Sequence, residues 1–254
     1  PDDEAFGSGG TLAELAQTGH KVTTVCATNG DVGEISDPLL ATPANLWQVR
    51  QEELIRAMQV TGVSDVRFLG YRDSGMRGSD DNEHPLSLFQ SNPSVVEAQI
   101  SSIVNELNPD VVFTHDPTGG YGHPDHVTIS ERTTNVINAM GDSRPYFYYV
   151  CFPRSSFKTL WKEMTAAGIT PPFAKDELDA IGSPDDYVTT IRDVSAYVDI
   201  KKASLSQHKT QLDPNGPFNS LNRNFMDNWM STEYFYLTSP KGGPKPNDIL
   251  DQSL

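Results

Sequence analysis

With 254 residues the chain is long enough to bury one enzyme-sized core, and its formal charge of −15 at pH 7 argues against nucleic acid or anionic membranes, which need basic patches. No apolar run approaches the roughly 20 residues of a membrane span, so a cytoplasmic protein is expected, with a leader upstream left open. Two cysteines, Cys26 and Cys151, make no disulfide framework.

Residues 4–18 are predicted to form a helix with Leu12, Leu15 and Ala16 on one face. Pro1-Asp2-Asp3-Glu4 places three carboxylates at its start, where the dipole favours negative charge; capping accounts for one or two of them. Gly9 and Gly10 cost helix stability, and close packing against a sheet is their expected reason. Gly19 is placed to end the helix, and residues 21–27, rich in β-branched side chains, read as a strand. The loop from Thr28 to Glu34 follows; Asn29 and Asp31 fit an ordinary strand-to-helix loop as well as a site.

Residues 45–61 trace a second helix through Leu46, Val49, Leu54, Ala57 and Met58, with Arg50 among polar neighbours, by itself a solvated-face residue. A short strand at 66–69 delivers Arg72-Asp73-Ser74-Gly75-Met76, for which a turn held by local Asp and Gly hydrogen bonds is the plain reading. Residues 77–92 read as a mobile polar loop with His84 at its surface. A helix at 93–107 ends at Asn108-Pro109, and the strand 110–115 follows. Residues 127–140 read as a helix and 146–150 as an aromatic core strand. Beyond Cys151 the pattern weakens: prolines over 152–195 and a helix near 157–167 suggest a cap, 198–211 a helix with His208 stabilising its last turn, 233–237 a strand, and the tail from Ser239 a loop. Strands alternating with helices predict a single α/β domain over 1–254: a Rossmann-like parallel sheet flanked by helices at 1–150, then a C-terminal cap region at 151–254. No dinucleotide fingerprint is present.

The stretch that organises the chain is Gly119-Gly120-Tyr121-Gly122-His123-Pro124-Asp125-His126, directly after the buried strand. In open α/β sheets ligands bind outside the carboxyl ends of strands, where this loop lies. One neutral imidazole can ligate a metal while the other handles protons, and a carboxylate between them can orient either. The alternative is a polar surface turn with incidental histidines. Joined to the acidic tetrad, the cluster has the donors of a divalent-metal hydrolase, with a spare carboxylate to take a proton.

Pro1-Asp2-Asp3-Glu4, the Gly9-Gly10-Thr11-Leu12 helix and Gly119–His126 together resemble the LmbE-like, PIG-L family of zinc-dependent N-deacetylases, and Arg72–Met76 resembles its mycothiol-pathway deacetylase and amidase. A pattern through Lys201, Ala203, His208 and Gln211 recurs there as well. The family's first motif is His-Pro-Asp-Asp-Glu with the histidine as a ligand, so that histidine and the strand bearing it are expected upstream of Pro1. The resemblance implies a Rossmann-like fold and one Zn2+, or another divalent metal, per chain. Asp3 and His126 would be ligands, Asp2 the general base, and His123, held by Asp125, the oxyanion stabiliser and acid. Tyr121 is open between a phenolic donor and packing. Arg50, Asp73 and Glu34 would bind an N-acetylated amino-sugar substrate, and homo-oligomers, dimers or hexamers, occur in such families. Two rival readings stay open: a sugar-binding homologue without catalysis, and a metal-dependent phosphate-ester hydrolase with Arg50 and Arg72 meeting the phosphate.

Overall fold

In the computed structural model, residues 1–212, 216, 220–239 and 249 are described; the loop-like tail expected after Ser239 lies outside them except for the buried Ile249. The elements run α1 (Asp3–Gln17), β1 (Thr23–Thr28), α2 (Leu46–Thr61), β2 (Asp65–Tyr71), α3 (Pro93–Leu107), β3 (Val111–His115), a single turn α4 (Gly119–Gly122) and α5 (Pro124–Ala139). They continue as β4 (Tyr146–Cys151), α6 (Arg154–Ala166), β5 (Thr190–Asp193), α7 (Val198–Leu205), α8 (Arg223–Met230) and β6 (Thr232–Ser239). No helix among the described residues is long and apolar enough to cross a membrane.

Local chemistry sets the boundaries. The Asn92 side chain accepts from the Ser94 amide at 3.0 Å, Pro93 takes the first position of α3, and Asn108 in the left-handed region (φ 44°) turns the chain away before Pro109. α5 starts three residues earlier than its apolar pattern suggests, because the His123 imidazole caps it by accepting from the Asp125 amide at 3.1 Å. α7 stops at Leu205, short of the expected 211. The chain leaves it to seat Thr210 on the Glu53 carboxylate, through its amide at 2.9 Å and its hydroxyl at 2.6 Å.

β1 pairs parallel with β2, and β3 with β4, as strand–helix alternation requires. The C-terminal strands join antiparallel, giving the order β3-β4-β6-β5. β5 escaped the sequence reading because it is four residues of edge strand with Ile191 66% exposed. The aromatic strand is core: Phe147 and Tyr148 are all but fully buried, as is Phe235 of the neighbouring β6.

Residues 77–92, read as a mobile loop, are tied down by the Asn82 amide, which donates to the Ser74 carbonyl at 2.5 Å and the Met76 carbonyl at 3.1 Å, and by fully buried Leu88. The region after Cys151 is tied into the core. Glu233 of β6 accepts from the Gly10 and Thr11 amides, each at 2.9 Å, and pairs with Lys201 of α7 at 2.7 Å. The helix glycines allow this approach: a Cβ on Gly10 would stand 2.6 Å from Val194, and one on Gly7 2.8 Å from Val150. β1 and β3, the facing edges of the two sheets, line a cavity of about 970 Å³ together with Leu12, Leu15, Ile100 and Val104. It runs the length of both strands, and the motifs converge on it at their carboxyl ends.

Candidate active site

All nine residues singled out in the sequence line this one cavity: Asp2, Asp3, Glu34, Arg50, Asp73, Tyr121, His123, Asp125 and His126. They divide into two carboxylate–imidazole poles.

At the first pole, the Asp3 carboxylate lies 3.0 Å from His126 Nε2. The other ring nitrogen, Nδ1, is 3.1 Å from the Gly119 carbonyl, which as an acceptor fixes the Nδ1–H tautomer. That contact requires a glycine: Gly119 has φ 66°, and a Cβ there would meet His126 Cβ at 2.9 Å. Nε2 therefore faces a carboxylate oxygen at hydrogen-bond distance, a pair bridged by a proton on a charged ring or, with the ring neutral, by a metal ion. Burial would raise the Asp3 carboxyl, but the His126 imidazole, by charge and hydrogen bond, holds it well below the usual range. His126 rises in turn: burial lowers it, but the Asp3 charge and the hydrogen bonds to Asp3 and the Gly119 carbonyl together outweigh that.

His115, at the end of β3, stacks on His126 with ring centroids 4.0 Å apart and an interplanar angle of 11°. With Asp3 and His126 it makes a group of three whose ligand atoms lie within 4.8 Å of one another, enough to hold a metal ion. Burial pushes His115 down to about 4, so it stays neutral, the form that ligates. The donor set of one carboxylate and two imidazoles fits a zinc-class cation. Asp2 points into the same cavity from a strained position, φ 93°. Burial, reinforced by the neighbouring Asp3 charge, raises its carboxyl to about 7.

The second pole is His123, Asp125 and Asp73, also a group able to hold a cation. Asp125, expected to hold the His123 ring, makes its hydrogen bonds elsewhere. One Asp125 oxygen accepts from the Ser74 hydroxyl and the other from the Ser74 amide at 3.0 Å, leaving the imidazole 3.9 Å away. Because His123 Nδ1 accepts the backbone N–H of the helix it caps, the ring proton belongs on Nε2. That nitrogen faces Asp73, also at 3.9 Å. Burial, with the His126 charge second, lowers His123 below the ordinary histidine value. Burial raises Asp125 to about 6 against the Ser74 hydrogen bonds.

Arg50 is buried, not a solvated-face residue. It donates to the Gly30 carbonyl at 2.7 Å and the Glu34 carbonyl at 2.9 Å, so it holds the loop that presents exposed Glu34. Asp31 fastens the same loop to the second pole, accepting from the Asp73 amide at 2.9 Å. Tyr121, 42% exposed, stands edge-on to His126 with centroids 5.2 Å apart, over the cavity mouth. Sequence reasoning missed His115 and Ser74. His115 carried a signal, since it closes the β3 run directly before the glycine loop; Ser74 lay within the Arg72–Met76 resemblance, which gave it no partner.

Residues 1–137 match the PIG-L family, GlcNAc-PI de-N-acetylase. A 1D-myo-inositol 2-acetamido-2-deoxy-alpha-D-glucopyranoside deacetylase of Acidothermus cellulolyticus is 37% identical, covering 98% of this chain and 91% of its own. Among solved structures, the N,N'-diacetylchitobiose deacetylase of Pyrococcus horikoshii superposes with a TM-score of 0.58 at 20% identity, over 94% of this chain and 80% of its own. The GalB 4-carboxy-2-hydroxymuconate hydratase of Pseudomonas putida KT2440 reaches 0.56 at 17% identity, over 96% and 95%. A hydratase on the same fold shows that architecture alone does not fix the reaction. The family does not rest on architecture: the motifs at both poles, the match over residues 1–137 and the near full-length relative place this chain in the PIG-L family of de-N-acetylases.

Proposed function

We propose that this protein is a metal-dependent amide hydrolase that removes the N-acetyl group from a glucosamine-type sugar conjugate, the relatives' names pointing to an inositol aglycone. The observation that carries the reading is the Asp3–His126 donor pair, with a second carboxylate, Asp2, raised to about 7 beside it. Asp3 and His126, with His115 within reach, would hold one Zn2+. Bound there, such a cation supplies Lewis-acid polarisation of the acetyl carbonyl.

The remaining chemistry belongs to the chain. Asp2 takes the proton of the attacking water as general base, its raised pKa matching it to neutral pH. His123 presents Nε2–H to the oxyanion as the carbonyl becomes tetrahedral; as the imidazolium it gives that proton to the leaving amine when the C–N bond breaks, and is left neutral with its remaining proton on Nδ1. Asp125 contributes by binding the Arg72–Met76 loop to the start of α5. Asp73, Glu34 and the N–H groups Arg50 does not spend on its loop bind sugar hydroxyls, and Tyr121 closes over the carbonyl side. The family's upstream strand, with its ligand histidine, would seat between β1 and β3; the cavity those strands share and the 40% exposure of Val25 support that placement.

Phosphate-ester hydrolysis fits less well. Arg50 is engaged with loop carbonyls, and Arg72 with Asp81 at 2.6 Å and Asp31 at 3.6 Å. The test is acetate release from N-acetylglucosaminyl-inositol by a chain carrying the upstream strand, with and without chelator. Turnover abolished by chelation and restored by zinc is expected. Undiminished turnover in chelator would overturn the reading, and phosphate release from a sugar phosphate without acetate release would favour the rival.

A further inference from the structure

The catalytic turn at the start of α1 is gripped by a segment about two hundred residues away. Asp2 and Asn108 are the non-glycine residues at positive φ among those described. Asn108 closes a helix, a place where that conformation is common; Asp2 opens one, where it is not. Something must hold Asp2 there. Its amide donates to Glu4 Oε2 at 2.9 Å, which ties the turn to the side chain two residues on. The other oxygen, Glu4 Oε1, meets His208 Nε2 at 2.8 Å. Gln211 Nε2 donates to the Pro1 carbonyl at 3.0 Å.

His208 and Gln211 lie in the turn after α7, and that turn is itself pinned. Thr210 sits on Glu53 of α2, and Ser36 donates through its hydroxyl to the Lys209 carbonyl at 2.6 Å and through its amide to the Thr210 carbonyl at 3.0 Å. The grip therefore has a rigid base.

His208 is wholly buried, and its Nδ1 has no hydrogen-bond partner among the described residues. An apolar side chain of the same size would fill the site without stranding a polar atom. Packing does not call for a histidine; Glu4 does. The least costly tautomer keeps Nε2–H on the Glu4 carboxylate and leaves Nδ1 as a bare lone pair.

We propose that His208 and Gln211 are positioning residues for Asp2, acting through Glu4 and the Pro1 carbonyl to hold it in the left-handed conformation that aims its carboxylate into the cavity. This rests on the reading of Asp2 as general base. Displacing a reacting group by about 1 Å can cost on the order of 100-fold in rate. A chain carrying the upstream strand is compared as His208→Leu, His208→Gln, Gln211→Ala, Asp2→Asn and the double variant His208→Leu with Asp2→Asn.

The leucine variant is expected to lower kcat by roughly 10- to 100-fold with KM and zinc content unchanged, because ligand and sugar contacts are untouched. His208→Gln, which keeps a donor to Glu4, restores kcat to within a few-fold. Gln211→Ala, a smaller cut in a half-buried residue that also lines the cavity, lowers kcat several-fold, is read in kcat alone, and serves if the leucine variant does not fold. In the Asp2→Asn background the leucine change has no further effect, since there is no base left to aim. An additive loss in the double variant, a loss of zinc or a rise in KM would overturn the proposal and leave His208 a packing residue or a support for Asp3. Full activity of Asp2→Asn would instead overturn the reading of the base beneath it.

Discussion

His126 and His123 stand three residues apart, their rings 4.9 Å from centroid to centroid, each near a carboxylate, and the backbone sets them opposite tasks. His126 Nδ1 meets a carbonyl, so its Nε2 lone pair is turned toward Asp3. His123 Nδ1 meets an amide, so its Nε2 carries the proton. A carbonyl from a left-handed glycine makes one ring a ligand; the first turn of α5 makes the other a donor. Their carboxylates differ in the same sense. Asp3 is turned to the imidazole, whereas Asp125 is spent on Ser74 and Asp73 accepts from the Gly75 amide at 2.8 Å. Neighbouring titratable groups pushed apart by their surroundings are what divides ligand from acid and base.

The first pole breaks hardest. Asp2→Asn should keep the metal and lose about 10²–10⁴-fold in kcat, the usual contribution of a general base. Asp3→Asn should lose the metal as well, and its activity with it. Metal analysis beside steady-state kinetics decides; an emptied site in Asp2→Asn with a loaded Asp3→Asn would exchange the two roles.

Next, the two histidines should separate cleanly. His126→Ala is expected to empty the site, while His123→Ala keeps it loaded and lowers kcat by roughly 10²–10³-fold, the cost of one oxyanion donor. Equal zinc in both variants would show that His126 is not a ligand.

The contrast between these poles was only half legible in the sequence. Which residues converge could be read, because glycine-rich loops at strand ends and an acidic helix start are local patterns. The partners could not. His123 and Asp125 are two apart, and proximity suggested that they pair, yet a side chain capping a helix offers its acceptor to the backbone. Ser74, 51 residues from Asp125, leaves no periodic trace. The same limit explains α7. Helical periodicity ran on to 211, but Thr210 and His208 are claimed by Glu53 and Glu4 from other elements, and tertiary hydrogen bonds outweigh propensity. The parallel pairing of β1 with β2 and of β3 with β4 follows from alternation; the antiparallel return of β5 and β6 depends on Glu233 finding the α1 amides and Lys201.

Ser74→Ala tests that tie. It removes the hydroxyl from a buried carboxylate and leaves the amide, so stability should fall by on the order of 1–3 kcal/mol in the urea midpoint at constant slope. Activity should drop only several-fold, with zinc retained. A stability loss below about 0.5 kcal/mol would mean that the serine does not hold Asp125.

The smallest effect, and the sharpest on the second pole, is the position of the alkaline limb. The acid works as the imidazolium, in which Nδ1 carries a proton too and gives up the Asp125 amide, so activity falls as pH rises through its pKa. Burial and the His126 charge lower that pKa, which puts the limb below the ordinary histidine value in the free protein. Asp73 opposes them: a carboxylate 3.9 Å from Nε2 favours the imidazolium. Removing its charge in Asp73→Asn should therefore shift the limb to lower pH. KM should rise at the same time if Asp73 also binds a sugar hydroxyl, so the limb is read in kcat, where the substrate is already bound. Asp125→Asn should leave the limb in place, because that carboxylate is turned to Ser74 and does not govern the ring. His123→Ala should remove the limb altogether. A limb that moves in Asp125→Asn and stays in Asp73→Asn would make Asp125 the partner after all, with the ring turned so that Nδ1 carries the proton.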